Sequence, residues 1–160
     1  MIEALRNHLR LNAAFNGTPA LLCITGAKPP ALDIDARLLP RISFDSLGVP
    51  TDDEMTRCWE APRAWQKMMT YHWVYTARQI YRMRPLVVLE GQFDPQYAIA
   101  ACASYRTRNR VILVDVGDPE MTAWAENARS LGGAIVDGKA APEAVAAAIC
   151  TVAMELLATQ

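Results

Sequence analysis

Leu86-Val87-Val88-Leu89-Glu90-Gly91-Gln92-Phe93-Asp94-Pro95 places a strand, a turn and a helix start in ten consecutive residues. The first four are apolar without alternation, the pattern of a strand covered on both faces, as in a parallel sheet. Gly91 breaks the run. Asp94 then supplies an N-cap and Pro95 a first-turn proline for a helix over 95–105. Val111-Ile112-Leu113-Val114-Asp115 repeats the device, with Asp118-Pro119 opening a helix that carries Met121, Trp124, Ala128 and Leu131 in register.

The same grammar extends outward from this pair. Upstream, Pro85 ends a long amphipathic helix over about 62–83, with Trp65, Met69, Trp73, Thr76, Ile80 and Met83 predicted on its buried face. Thr51-Asp52-Asp53-Glu54 is a capping box and predicts a helix start. Arg41–Asp45 alternates and reads as a short strand; Ala20–Thr25, ended by Gly26, reads as another. Residues 27–40 carry Pro29, Pro30 and Pro40, and proline removes a donor and clashes with the preceding turn, so no regular helix spans them. Ile2, Leu5, Leu9 and Ala13 predict a helix over 2–15. Downstream, Gly132-Gly133 closes one helix, Ala134–Asp137 is a last strand, and Pro142 opens a helix with Val145, Ile149, Val152 and Leu156 as its core stripe. Strand–helix alternation of this kind predicts one α/β domain over 1–160: a doubly wound, mainly parallel sheet of about five strands, with an N-terminal helix within 1–17.

Bulk properties narrow the function classes. With 52% hydrophobic and 21% charged residues, the chain is neither disordered nor strongly polar. A net charge of -1 argues against a broad electrostatic hold on nucleic acid or an acidic membrane. Cys23, Cys58, Cys102 and Cys150 include no C-x-x-C pair, and His8 and His72 are the two histidines, so no metal site is expected. Cys23, Cys102 and Cys150 sit in apolar runs and read as small buried hydrophobes. Neither a signal peptide nor an apolar run of membrane-spanning length is visible, and a cytoplasmic protein is expected.

Open α/β sheets bind ligands beyond the carboxyl ends of their strands. Those ends read Thr25-Gly26-Ala27-Lys28, Asp45-Ser46, Glu90-Gly91-Gln92, Asp115-Val116-Gly117-Asp118 and Asp137-Gly138-Lys139. Turns favour the same residue types, so the edge is read as a site only a little ahead of a set of turns. Glu90 is a candidate base or holder of a metal-bound water, against a carboxylate at a strand tip or helix cap. Asp45 is a candidate acceptor for a ligand hydroxyl, against a turn starter. Thr25, Gly26, Lys28, Ser46, Gln92 and Asp115 complete the candidate ligand or phosphate site. His72 reads as a partly buried structural histidine, and Tyr105 with Arg106, Arg108 and Arg110 as a solvated turn.

Phe44-Asp45-Ser46-Leu47-Gly48-Val49-Pro50, Trp65-Gln66 and Val87–Gln92 together resemble small P-loop kinases of the nucleoside-monophosphate and shikimate kinase type, in order and spacing over about 20–158. The resemblance implies a first strand leading to a phosphate loop, a second ending near substrate groups, and a third bearing an acidic residue at the reaction centre. Two parts depart from that pattern. The phosphate loop G-x-x-x-x-G-K-[ST] wraps phosphates with backbone N–H groups, whereas Gly26-Ala27-Lys28-Pro29-Pro30 has no second glycine before a lysine and no hydroxyl after it. An arginine-bearing lid after the fourth strand is also missing, since the helix there has Arg129 alone. The resemblance therefore implies a non-catalytic binding or assembly module. The alternatives are an unorthodox phosphotransferase or hydrolase and, third, nucleic-acid binding through Tyr105–Arg110. Mg-ATP is expected as a cofactor only if the phosphate site works. The expected partners are a second copy or another protein, and a small phosphorylated or nucleoside ligand; nucleic acid ranks last.

Overall fold

In the computed structural model, which describes residues 1–159, every residue of strand β1 (Ala20–Gly26) is buried. It lies at the centre of a parallel sheet, with Leu22 opposite Val88 on one side and Arg110 on the other. Its neighbours are β3 (Leu86–Gly91) and β4 (Asn109–Asp115); β2 (Arg41–Ser43) and β5 (Ala134–Asp137) form the edges. The order is β2-β3-β1-β4-β5 and all four pairings are parallel. This is the doubly wound α/β fold expected from the unbroken apolar strands.

Alternate residues feed two cores. Leu21, Cys23, Val87, Leu89 and Val111 face α2 (Asp52–Trp59), α3 (Pro62–Ile80) and α4 (Pro95–Ser104), with α5 (Thr122–Ser130) beside them on Leu113. Ala20, Leu22, Ile24, Leu86 and Val88 face α1 (Ile2–Leu11) and α6 (Pro142–Ala158). Residues 27–40 hold neither helix nor strand, yet Leu32 and Leu39 are buried in this second core. A fully buried leucine stabilises by roughly 1.5–3 kcal/mol. Leu5 and Leu9 of α1 therefore help an irregular segment cover the sheet.

Local signals act where the sequence places them. Thr51 Oγ1 accepts from Glu54 N–H while Thr51 N–H donates to the Glu54 carboxylate at 2.8 Å, a complete capping box. Asp94 accepts from Gln96 N–H at 3.0 Å to start α4.

Several expectations need correction. α1 ends at Leu11 rather than residue 15: the Asn12 side-chain amide donates to the His8 carbonyl, and the chain continues in tighter turns, with Ala13 N–H on Arg10 O and Phe15 N–H on Asn12 O. β2 stops at Ser43; Phe44 N–H still bonds Glu90 O, but Ser46 N–H then closes a turn on Ser43 O. α3 buries Trp65, Thr70, Trp73, Val74 and Ala77, while Ile80 and Met83 are 65% and 56% exposed. Ala77 and Tyr81 take the inward positions at this end of the helix, and Ile80 and Met83 are left on the solvent side. Asp118-Pro119 opens a single 3-10 turn, Pro119–Met121, before α5 begins, and α5 buries Ala125 and Ala128 rather than Met121 and Leu131.

Candidate functional site

After β1 the chain travels to edge strand β2, whereas after β3 and β4 it travels toward the opposite edge. Winding thus reverses at β1, the position where open α/β sheets form their ligand crevice. A cavity of about 250 Å³ lies there. Gly26 and Lys28 wall it from the end of β1, Ser43 and Asp45 from the end of β2, and Glu90 and Gln92 from the end of β3. A second cavity of about 350 Å³ adjoins it, sharing Asp45 and Gln92; Phe44 and Trp65 give it an aromatic floor, with Arg63 and Asp52 beside them. Each is near the lower bound of small-molecule sites, roughly 300–1,000 Å³.

The fold brings together Gly26, Lys28, Asp45, Glu90 and Gln92 from three strand ends. It does not bring Thr25, Ser46 or Asp115 to the same wall. Thr25 is buried; its hydroxyl donates to Phe93 O at 2.6 Å and accepts from Phe93 N–H at 3.1 Å, pinning β1 to the turn after β3. Ser46 sits in the exposed turn that follows β2. Asp115 accepts from Gly117 N–H at 2.7 Å and shapes the turn after β4.

Sequence reading missed Ser43 and Arg41. The Arg41 guanidinium donates to the Glu90 carboxylate at 2.8 Å, and both side chains are about three-quarters buried, at 24% and 28% exposure. The available signal was the polar parity of β2: in parallel register Ser43 stands opposite Glu90, so Arg41 lies diagonally across from it on the same face. Glu90 therefore faces the cavity already ion-paired. Lys28 and Asp45 are exposed at its rim.

The loop after β1 is equally committed. Ala27 N–H donates to Val114 O at 2.9 Å, and Gln92 Nε2 donates to Gly26 O at 2.6 Å. Pro29 and Pro30 have no N–H to offer. Gly26 adopts φ +91°, and a Cβ there would sit 2.5 Å from Val114 O, so the chain turns out of the sheet in a shape that suits glycine.

Residues outside the edge take these places. His72 is exposed, with its ring edge-on to Trp73 at 5.1 Å, so the reading of a partly buried histidine is corrected: it falls on the solvent side of α3. Arg108 is held at the end of α6, donating to Leu156 O and Thr159 O. Cys23, Cys102 and Cys150 are buried and Cys58 is exposed. Bonding to the Cys102 side chain and complete burial hold the Cys23 thiol well above its ordinary range. Among the described residues no three His, Cys, Asp or Glu side chains converge as a metal site, and no helix is long and apolar enough to cross a membrane.

Comparison of the chain with family models, with curated proteins and with solved structures finds no match.

Proposed function

We propose that this chain is a degenerate P-loop kinase-like protein that works by binding a small polar ligand at the β1–β3 edge, without transferring phosphate. The observation that carries the reading is the Arg41–Glu90 ion pair. A carboxylate acting as base or metal holder at this edge needs its oxygens for the ligand, and here the Arg41 guanidinium takes Oε2 of Glu90. Phosphoryl transfer depends almost entirely on positioning and on electrostatic stabilisation. The loop that would cradle the phosphates instead directs Ala27 N–H to Val114 and continues into two prolines. What remains is a cavity whose walls offer a lysine, a carboxylate, a hydroxyl and an amide, with an aromatic chamber beside it. That chemistry suits a hydroxylated or monophosphorylated small molecule, with a nucleoside as the first class to test.

The test is a thermal-shift and calorimetric titration with nucleosides, nucleoside monophosphates and Mg-ATP. A ligand that binds the native state alone raises its melting temperature. The expected result is a shift with a nucleoside or monophosphate, lost in Asp45→Ala, and no turnover of Mg-ATP. Hydrolysis or transfer that Glu90→Gln abolishes would overturn the reading.

One observation favours the enzyme alternative, a phosphotransferase or hydrolase with an unorthodox phosphate site: the edge is open, with two adjoining cavities, rather than plugged by side chains. The same titration separates the two readings, since submillimolar binding of a triphosphate that Lys28→Ala weakens belongs to the enzyme.

A further inference from the structure

The chain is almost neutral, yet its charge is strongly segregated. Residues 61–114 hold eight of the sixteen cations, and the acids among them are Glu90 and Asp94 alone. Both are engaged: Glu90 pairs with Arg41, and Asp94, 5% exposed, caps α4 and accepts from Asn127 of α5. Helix α3 has no acidic residue at all.

Its solvent side is also aromatic. Met68, Tyr71, Tyr75 and Arg78 recur at steps of three and four, so they share one face. Tyr105, from the turn after α4, lies against that face, its ring centroid 6.2 Å from Tyr71 and 5.5 Å from Tyr75. These tilted contacts hold the rings in place while Tyr75 stays 48% and Met68 42% exposed. Lys67, Arg82 and Arg106 are exposed on the same helix and the two turns that follow α3 and α4.

We propose that the outer face of α3, completed by Tyr105 and Arg106, binds single-stranded nucleic acid. The inference is independent of the edge cavity. Tyr75 is half-exposed and is braced by the partly buried Tyr71 and Tyr105; a fixed ring of this kind beside cations is a platform on which an unpaired base stacks while its phosphates meet Lys and Arg. Cations alone would suit any acidic partner; the tyrosines favour one with π-faces. Whole-chain charge conceals this surface because the balancing acids lie on other segments.

The experiment is fluorescence anisotropy with labelled twelve-nucleotide oligo-dT and oligo-U at low salt, followed by a salt titration. Engaging Lys67, Arg78, Arg82 and Arg106 predicts a log–log salt slope of about −2 to −3. Tyr75→Ala should weaken binding roughly tenfold and Tyr75→Trp should retain it, because stacking contributes on that scale per base. Arg82→Glu with Arg106→Glu should remove binding at physiological salt, with the melting temperature of each variant unchanged. Failure of both oligonucleotides to bind at low salt overturns the proposal, as does binding that neither Tyr75→Ala nor the charge reversal alters. Competition by a polyglutamate peptide as strong as by the oligonucleotide also overturns it and assigns the face to an acidic protein.

Discussion

Arg41 and Glu90 meet at 2.8 Å across neighbouring parallel strands, and Glu90 is the member of the pair that lines the edge cavity. Arg41 begins β2 at one sheet edge and Glu90 stands near the end of β3, 49 positions later. Two strands had to be laid side by side before either side chain acquired its partner.

Removing one member of the pair should cost more than removing both. Arg41→Met leaves a largely buried carboxylate without its cation and should destabilise by about 1–2 kcal/mol, a value reduced for the quarter of each side chain that reaches water. Arg41→Met combined with Glu90→Gln should recover most of the loss. Urea denaturation of the four proteins of the cycle measures it; additive losses would mean that the two groups do not interact.

Gly26→Ala should destabilise by roughly 2–4 kcal/mol, because it combines a left-handed φ with a Cβ driven against Val114 O. Gly91→Ala should do the same through its contact with Phe44. Both would also distort the cavity wall, so the edge ligand should bind more weakly even where the fold survives. Thermal melts and ligand titrations of the two variants check this, and wild-type stability in either would refute the close approach.

Helix α1 is part of the core despite its place before the first strand. Leu5 and Leu9 are fully buried, and each Leu→Ala change should cost about 2–5 kcal/mol. Leu11→Ala, at an 86% exposed position on the same helix, should be close to neutral. Denaturant midpoints of the three variants give the comparison.

Thiol chemistry should separate one cysteine from three. Cys58 is exposed, whereas Cys23, Cys102 and Cys150 are buried, and the Cys102 contact together with burial raises the Cys23 thiol. The thiolate is the reactive form, so near neutral pH the native protein should react with about one equivalent of a thiol reagent. Full reaction should follow unfolding. Cys58→Ser should abolish the fast phase.

The capping box carries a pH dependence. Bonds from the Thr51 N–H and hydroxyl hold the Glu54 carboxyl below its ordinary range. A depressed folded-state pKa contributes stability that is complete above the unfolded value and is lost as pH falls through the folded value. The start of α2 should therefore loosen on acidification, and amide hydrogen exchange at Glu54 should report it, with Glu54→Gln flattening the profile.

Much of the fold was legible along the chain because it rests on short-range chemistry. The buried strands Val87–Leu89 and Val111–Val114, the Asp94-Pro95 start and the Thr51–Glu54 box each need no more than a few neighbours. Helix faces were less legible. On α3 the spacing admitted Thr76 and Ile80 as readily as Ala77 and Val74, and packing against the core made the choice. The edge site was half legible: the sequence names the strand-end positions but not which of them share a wall, so it sets Thr25 and Asp115 beside Glu90 and gives no sign of Arg41 and Ser43 until the register is known.

By itself the sequence determined the order of strands and helices, the turn and cap at each boundary, and the absence of a phosphate-loop motif after the first strand, since all of these follow from local backbone preferences and hydrophobic periodicity. Only the tertiary structure decided that Glu90 meets a cation, that the Thr25 hydroxyl bonds Phe93 in the turn after β3, and that tyrosines and arginines from two turns and a helix share one face. Contacts of that kind join positions tens of residues apart, and their free energy exists only once the parallel sheet has set the register between them.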